Sequence, residues 1–244
     1  MSWEDRYYPV TINGQIEQFP SVTTILRVHN REGLNIWRAK QGWELSEQYR
    51  EETSEIGKEV HQYIHQLANG VAIPKLEWSL LSEEIKNSIR AYERFRMESG
   101  LKGGTAEMVV YNLELSYAGT LDRIGKAYNE DGLFDWKTGE HFYPSMLAQV
   151  VAYFHALPEK IRNRIRNLYS VGLNRNTGIP DIHRLKVEDS EPYWEYFKAC
   201  LNLFNCDKKL LSLEEITNTP RLHQKPKDGI AITSAGDCIH GVKK

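Results

Sequence analysis

The chain has 244 residues, of which 41% are hydrophobic, with 13 Tyr, 6 Trp and a formal net charge of −2. That is apolar mass enough for one large domain or two small ones, with no run of the length that spans a membrane. The near-neutral balance does not by itself advertise a nucleic-acid binder, and three cysteines (Cys200, Cys206, Cys238) are too few and too odd for a disulfide framework. The opening MSWEDRYYPV has neither a basic region nor an apolar one behind it, so it reads as no signal peptide, and a cytoplasmic location is expected.

In chain order, Tyr7–Ile12 and Ile16–Phe19 alternate about Asn13-Gly14, a hairpin signal. Ser21 is placed to cap a helix that starts near Val22. Leu34–Tyr49 reads as a second helix, with Leu34, Trp37 and Trp43 among its apolar residues; either Trp could stack on a base, but core positions are the reading taken for both. Ser54–Leu67 repeats Ile56, Val60, Ile64 and Leu67 on one helical face, with Gly57 and His61 one turn apart on another. Gly70–Pro74 is a loop. Ser82 caps a helix to about Met97, whose inward face is Ile85, Ile89, Tyr92 and Phe95, and Gly100–Gly104 breaks it.

Thr105–Tyr111 reads as a strand containing Glu107. Thr120–Ile124 is a strand carrying Asp122, Asn129–Gly132 (NEDG) a turn, and Leu133–Thr138 the next strand. Pro144–Ala156 is a helix with Gln149 and Tyr153 four apart. Asn167–Leu173 and Ile182–Val187 form a second hairpin around NRNTG, and Glu191–Leu210 is a helix with Trp194, Phe197, Leu201 and Phe204. Cys200 and Cys206 fall in this helix as small buried thiols. About 217–244 reads as a mobile tail. Pro158–Val187 holds seven Lys/Arg (Lys160, Arg162, Arg164, Arg166, Arg175, Arg184, Lys186), a local basic surface or else a solvated hairpin. Helical and strand periods shared through one core predict an α/β fold with a central mixed sheet flanked by helices.

The chemistry gathers at Gly119–Gly139. Strand alternation puts Asp135 and Lys137 on one face, with Phe134 and Trp136 on the other. If the two strands pair, Asp122 approaches Asp135. Paired carboxylates repel, and a hard divalent cation relieves that repulsion. Lys137 beside it can orient a water or offset charge growing on phosphate oxygens.

Asp122 followed thirteen residues later by Asp135-x-Lys137 resembles the PD-(D/E)XK nuclease signature. The wording GTLDR and FDWKTG is similar to the RecB-like exonuclease branch, which includes phage proteins and the mitochondrial genome maintenance exonucleases. The resemblance covers about Gly57 to Tyr153. It implies a restriction-endonuclease-like core in a single nuclease domain over 1–244. It implies Mg²⁺ or Mn²⁺ held by Asp122 and Asp135, with His61, from a G-x-x-x-H element, as a further ligand. Glu107, on the strand before, then binds metal directly, acts through water or forms a salt bridge. Lys137 is implied as catalytic, with Gln149 and Tyr153, a Q-x-x-x-Y element, positioning the lysine or a DNA phosphate. Some relatives hold an iron–sulfur cluster on four cysteines; this chain has three, and no cluster is expected.

The expected function is therefore a metal-dependent DNA exonuclease acting on single strands or ends, in replication, recombination or repair of phage or bacterial DNA. The alternatives are a catalytically inactive DNA-binding or assembly protein with the same fold, a structure-specific endonuclease, or an RNA-directed nuclease. The chain lacks a G-x-x-x-x-G-K-[ST] loop, so unwinding falls to a helicase, single-strand-binding or recombination partner.

Overall fold

The computed structural model describes residues 5–29 and 32–217. The tail over 218–244, Cys238 included, lies outside the described residues. Contacts divide the chain into Met1–Asn205 and Cys206–Lys244. The first unit holds the sheets and all but the last part of the final helix.

Strands β1 (Tyr7–Ile12) and β2 (Gln15–Pro20) form the expected hairpin, with Asn13 and Gly14 both at positive φ (51° and 82°). This pair is a sheet of its own, tied to the main one by a bridge from Ser21 to Ala118. Ser21 also caps α1 (Val22–Leu26), its hydroxyl accepting from the Thr24 N–H at 3.0 Å.

The expected 34–49 helix is two helices. α2 (Glu32–Gln41) stops at Gly42, whose φ of +86° breaks the spiral, and α3 (Trp43–Ala68) then runs unbroken through the Ser54–Leu67 segment. Starting α3 at Trp43 leaves that ring outside the core. It is 64% exposed, against the expectation of burial, while Trp37 is half-buried and packs its ring 5.5 Å from Tyr49.

A short α4 (Lys75–Leu80) precedes α5 (Glu83–Ser99), which Ser82 caps as expected and Gly100 ends in the left-handed region. The main sheet is β3 (Lys102–Asn112), β4 (Tyr117–Ala127), β5 (Glu130–Lys137), β6 (Asn167–Leu173) and β7 (Pro180–Lys186), in sequence order. Only β5 and β6 run parallel, so the sheet is mixed. A parallel pair needs a crossover, and α6 (Pro144–Ala156) with α7 (Glu159–Arg162) supplies it. α8 (Glu191–Thr217) closes the described chain, and residues 206–217 of the second unit are its C-terminal part.

The β4–β5 turn centres on Tyr128-Asn129, two residues before the centre of the expected NEDG turn. Both adopt positive φ (50° and 64°), as a two-residue hairpin turn requires, and Glu130 already pairs with Ala127. The Tyr128 N–H is held by the Ser99 carbonyl at 2.7 Å, a contact across sequence that no local motif announces.

Two apolar layers flank the sheet. Leu133 and Leu168 face α6, α1 and the Phe197–Phe204 stripe of α8. Phe134, Trp136, Tyr169 and Val171 face α3 and α5. Cys200 lies in the first layer and burial raises its thiol pKa. Cys206 is exposed, contrary to expectation, because the apolar stripe ends at Phe204. Among the described residues no helix is long and apolar enough to cross a membrane.

One layer contact carries a pH dependence. The His155 ring, on the last turn of α6, stacks on Trp194 at 3.9 Å and 13°. Burial chiefly, with Arg162 and Lys198 nearby, lowers its pKa from 6.5 to about 4. Between those values the unfolded chain takes a proton that the folded chain refuses, so stability falls as pH drops through the window. Wild type is expected to lose roughly 2 kcal/mol there, discounting for the partly exposed ring. His155→Phe should flatten that part of a melting-temperature profile, and an unchanged slope would refute the assignment.

Candidate active site

The site arises where β4 and β5 part. Their ladder runs from Ala127↔Glu130 to Arg123↔Phe134. One step further Asp122 would face Asp135, but the strands no longer pair. Asp122 instead inserts its side chain, Oδ2 accepting the Trp136 N–H at 2.7 Å. A buried backbone N–H needs an acceptor, and this one is supplied by the carboxylate. Trp136 is held from the other face, edge-on to Tyr92 at 5.3 Å and stacked on Phe134 at 5.7 Å. The aromatic layer thus fixes β5, and β5 presents Asp135 and Lys137 on the opposite face.

Asp135 is buried (2% exposed). Nζ of Lys137 lies 2.6 Å from its Oδ2, yet no aligned hydrogen-bond donor reaches that oxygen. Burial is the main reason its pKa rises to about 6; Lys137 opposes the rise and Asp122 adds to it.

α6 lies over this face. Gln149 and Tyr153, one turn apart and both buried, meet the acid and the lysine. Gln149 Oε1 accepts from Lys137 Nζ at 3.0 Å. Its Nε2 donates to Asp135 Oδ1 at 3.3 Å and to the Tyr153 hydroxyl at 2.8 Å. One amide therefore sets the spacing of lysine and carboxylate. Burial, then the Asp135 charge, holds the Tyr153 pKa far above its usual value, so the phenol stays neutral. The ring passes over Gly119: a Cβ there would sit 2.4 Å from Tyr153 Cε1. That is the physical need for glycine in GTLDR.

His61 comes from α3. Its Nδ1 is 3.4 Å from Asp122 Oδ1, with 33% of the side chain exposed. Burial alone would lower its pKa, but Asp122 and then Asp135 more than offset this, and it is raised. Gly57 lets α3 rest close to the end of β5, since a Cβ would lie 3.2 Å from Thr138 Oγ1.

Glu107 is placed differently from the rest. It sits in β3 at φ 50°, a conformation uncommon for a residue other than glycine, and its Oε2 lies 3.6 Å from His65 Nδ1. The expected His61, Glu107, Asp122, Asp135 and Lys137, together with His65, thus resolve into pairs: His61 with Asp122, His65 with Glu107, and Asp135 with Lys137. Among the described residues no three His, Cys, Asp or Glu side chains form a ready coordination group. His65 is the residue the sequence reading passed over. Its signal was the one-turn spacing from His61, which puts both rings, with Glu107, around one open cleft.

The donor chemistry suits a hard divalent cation. Asp122 and Asp135 are carboxylates, the buried Asp135 Oδ2 lacks an aligned donor, and a neutral imidazole is an acceptable ligand for Mn²⁺.

The basic stretch is mostly neutralised. Arg164 pairs with Asp131, Arg175 with Glu84 and Glu140, Arg184 with Glu130, and Lys186 with Glu188. These acids lie outside the stretch or at its edge, so the local count overstated its free charge. Lys160, Arg162 and Arg166 have no ion pair among the described residues.

No protein-family model matches the chain, and no curated protein matches it. Among solved structures it is similar to an alkaline exonuclease (LHK-Exo) from Laribacter hongkongensis, at 10% identity and a TM-score of 0.37 over 82% of this chain and 94% of that one. A likeness of that size does not bear on what this chain does.

Proposed function

We propose that the chain is a metal-dependent deoxyribonuclease of the PD-(D/E)XK type that degrades DNA from its ends. The observation that supports it most is the linked group Asp122, Asp135, Lys137 and Gln149 at the point where two antiparallel strands separate. An exposed hairpin would leave such groups solvated. Here a buried carboxylate, a lysine and a buried amide are held within hydrogen-bond reach of one another, and burying charge without function is costly.

Asp122 and Asp135 would hold Mg²⁺ or Mn²⁺, with His61 as a further ligand and Glu107, beside His65, bordering the site. Such an ion supplies Lewis-acid polarisation of a phosphate and a more acidic water. Lys137 orients the attacking water and offsets charge on the phosphate oxygens. Gln149 keeps Lys137 and Asp135 at fixed separation, and Tyr153 fixes the amide. The end-directed mode and the partner that would open duplex DNA follow from the sequence resemblance.

The test uses 5′- and 3′-labelled linear DNA, single- and double-stranded, beside a covalently closed circle, each with Mg²⁺, Mn²⁺ or EDTA. Metal-dependent shortening of linear DNA with the circle intact is expected. Cutting of the circle would overturn the end-directed mode. No cutting with either metal would overturn the nuclease.

A further inference from the structure

The sheet face that carries Asp135 and Lys137 continues past them. Register places Asp135, Ser170 and His183 in one row across β5, β6 and β7, and Lys137, Gly172 and Asp181 in the next. Above this floor lies a cavity of about 340 Å³, with Lys137 at one side and Phe142, Met146, Thr177 and Ile179 among its walls. That volume falls in the range of roughly 300–1,000 Å³ typical of small-ligand sites. Gly172 keeps the floor low, since a Cβ there would press to 3.2 Å on the Cβ of Asp181.

Two features define what fits. Phe142, from the loop before α6, stacks on His183 of β7 at 3.6 Å and 14°, and Asp181 Oδ2 holds the His183 Nε2 at 2.9 Å. Each ring covers one face of the other, so the pair offers a base an outer π-face, and such a face accepts any base. Glu140 and Asp181 also line the cavity, and Lys137 is the one Lys or Arg among its described lining residues, so the end away from Lys137 does not favour a phosphate. β7 is two strand spacings, roughly 10 Å, from β5, so a base held there would belong to a nucleotide adjoining a phosphate at Lys137.

We propose that this cavity seats one unstacked nucleobase next to the cleaved phosphate, with Phe142 and His183 as its stacking wall. The proposal rests on the nuclease reading and deepens it. A base must leave its duplex stack to enter, so the site selects single-stranded or frayed ends, with little preference for sequence.

The test pairs Phe142→Ala and His183→Ala with single-stranded oligonucleotides that are intact or abasic at the first or second nucleotide from either end. Cleavage is measured with Mn²⁺, and binding by fluorescence anisotropy in EDTA. A stacked base is worth about 1–3 kcal/mol, so each variant is expected to raise KM and the dissociation constant by roughly 5- to 150-fold on intact oligonucleotide, with kcat within about threefold. One abasic position should reproduce that loss in wild type. The variants should lose little more on that abasic substrate, because the partner is already gone. Losses that multiply independently, variants that bind intact DNA like wild type, or indifference to every abasic position would overturn the proposal. If no protein cuts but base-dependent binding persists and is lost in the variants, the nuclease reading fails and the cavity assignment stands.

Discussion

Asp135→Asn is expected to abolish cleavage and, at the same time, to raise the melting temperature. The loss of activity follows from removing a ligand charge, and a drop of at least ~10³-fold is the scale of such losses. The gain in stability follows from burial. Asp135 is 2% exposed and its pKa is pushed up to about 6, so at pH 7.5 the folded chain carries a buried carboxylate it would hold more easily unfolded. The sign is fixed by linkage: with the folded pKa above the unfolded value of 3.8, stability is full below that value and is lost as pH rises to about 6. Asparagine removes that loss. Lys137 keeps its bond to Gln149 Oε1 and partial exposure to water (23%). A gain on the order of 1–2 kcal/mol, about 2–8 °C for a chain of this size, is expected at pH 7.5 and should vanish near pH 4. Melting curves of both proteins at the two pH values check it. A variant less stable at pH 7.5 would show that Asp135 is there for the fold.

Gly119→Ala is expected to damage the site through a residue that touches no substrate. The new methyl would sit 2.4 Å from Tyr153 Cε1, and that ring is 4% exposed, so it has no free space to take. Either α6 lifts or the strand bends. Overpacking of this kind costs about 1–3 kcal/mol. Lifting α6 also draws Gln149 away from Lys137 and Asp135, and a misplacement near 1 Å costs on the order of 10²-fold in rate. The cause is separable by a second substitution. Tyr153→Leu in the Gly119→Ala background should recover part of the stability, giving a favourable coupling in a double-mutant cycle. Tyr153→Phe keeps the ring and should recover none. Additive losses for the leucine pair would rule out the clash.

These effects show what the sequence could and could not reveal. Strand and helix periods put Asp135 with Lys137, and Gln149 with Tyr153, on one face each, but only the family resemblance singled out the second pair; the caps at Ser21 and Ser82 follow from local chemistry. Other features depend on partners far away in sequence. The parting of β4 and β5 rests on a side chain accepting a backbone N–H fourteen residues on. Trp43 reads as core by composition but lies at the start of α3 and is exposed, while Trp37 is half-buried against Tyr49. Within the basic stretch, Arg164 and Arg175 pair with acids outside it, Asp131, Glu84 and Glu140. Glu107 could not be placed because its backbone leaves the strand conformation at that residue.

The most direct test of the central claim is the initial rate of cleavage of an end-labelled single-stranded oligonucleotide, with Mg²⁺, Mn²⁺ or EDTA, by wild type and by Lys137→Ala of matched melting temperature. The expected result is cleavage by wild type with either metal, none in EDTA, and a loss of at least ~10³-fold in the variant. Cleavage that persists in EDTA, or a variant that cuts like wild type, would contradict the assignment of Asp122, Asp135 and Lys137 as the catalytic centre.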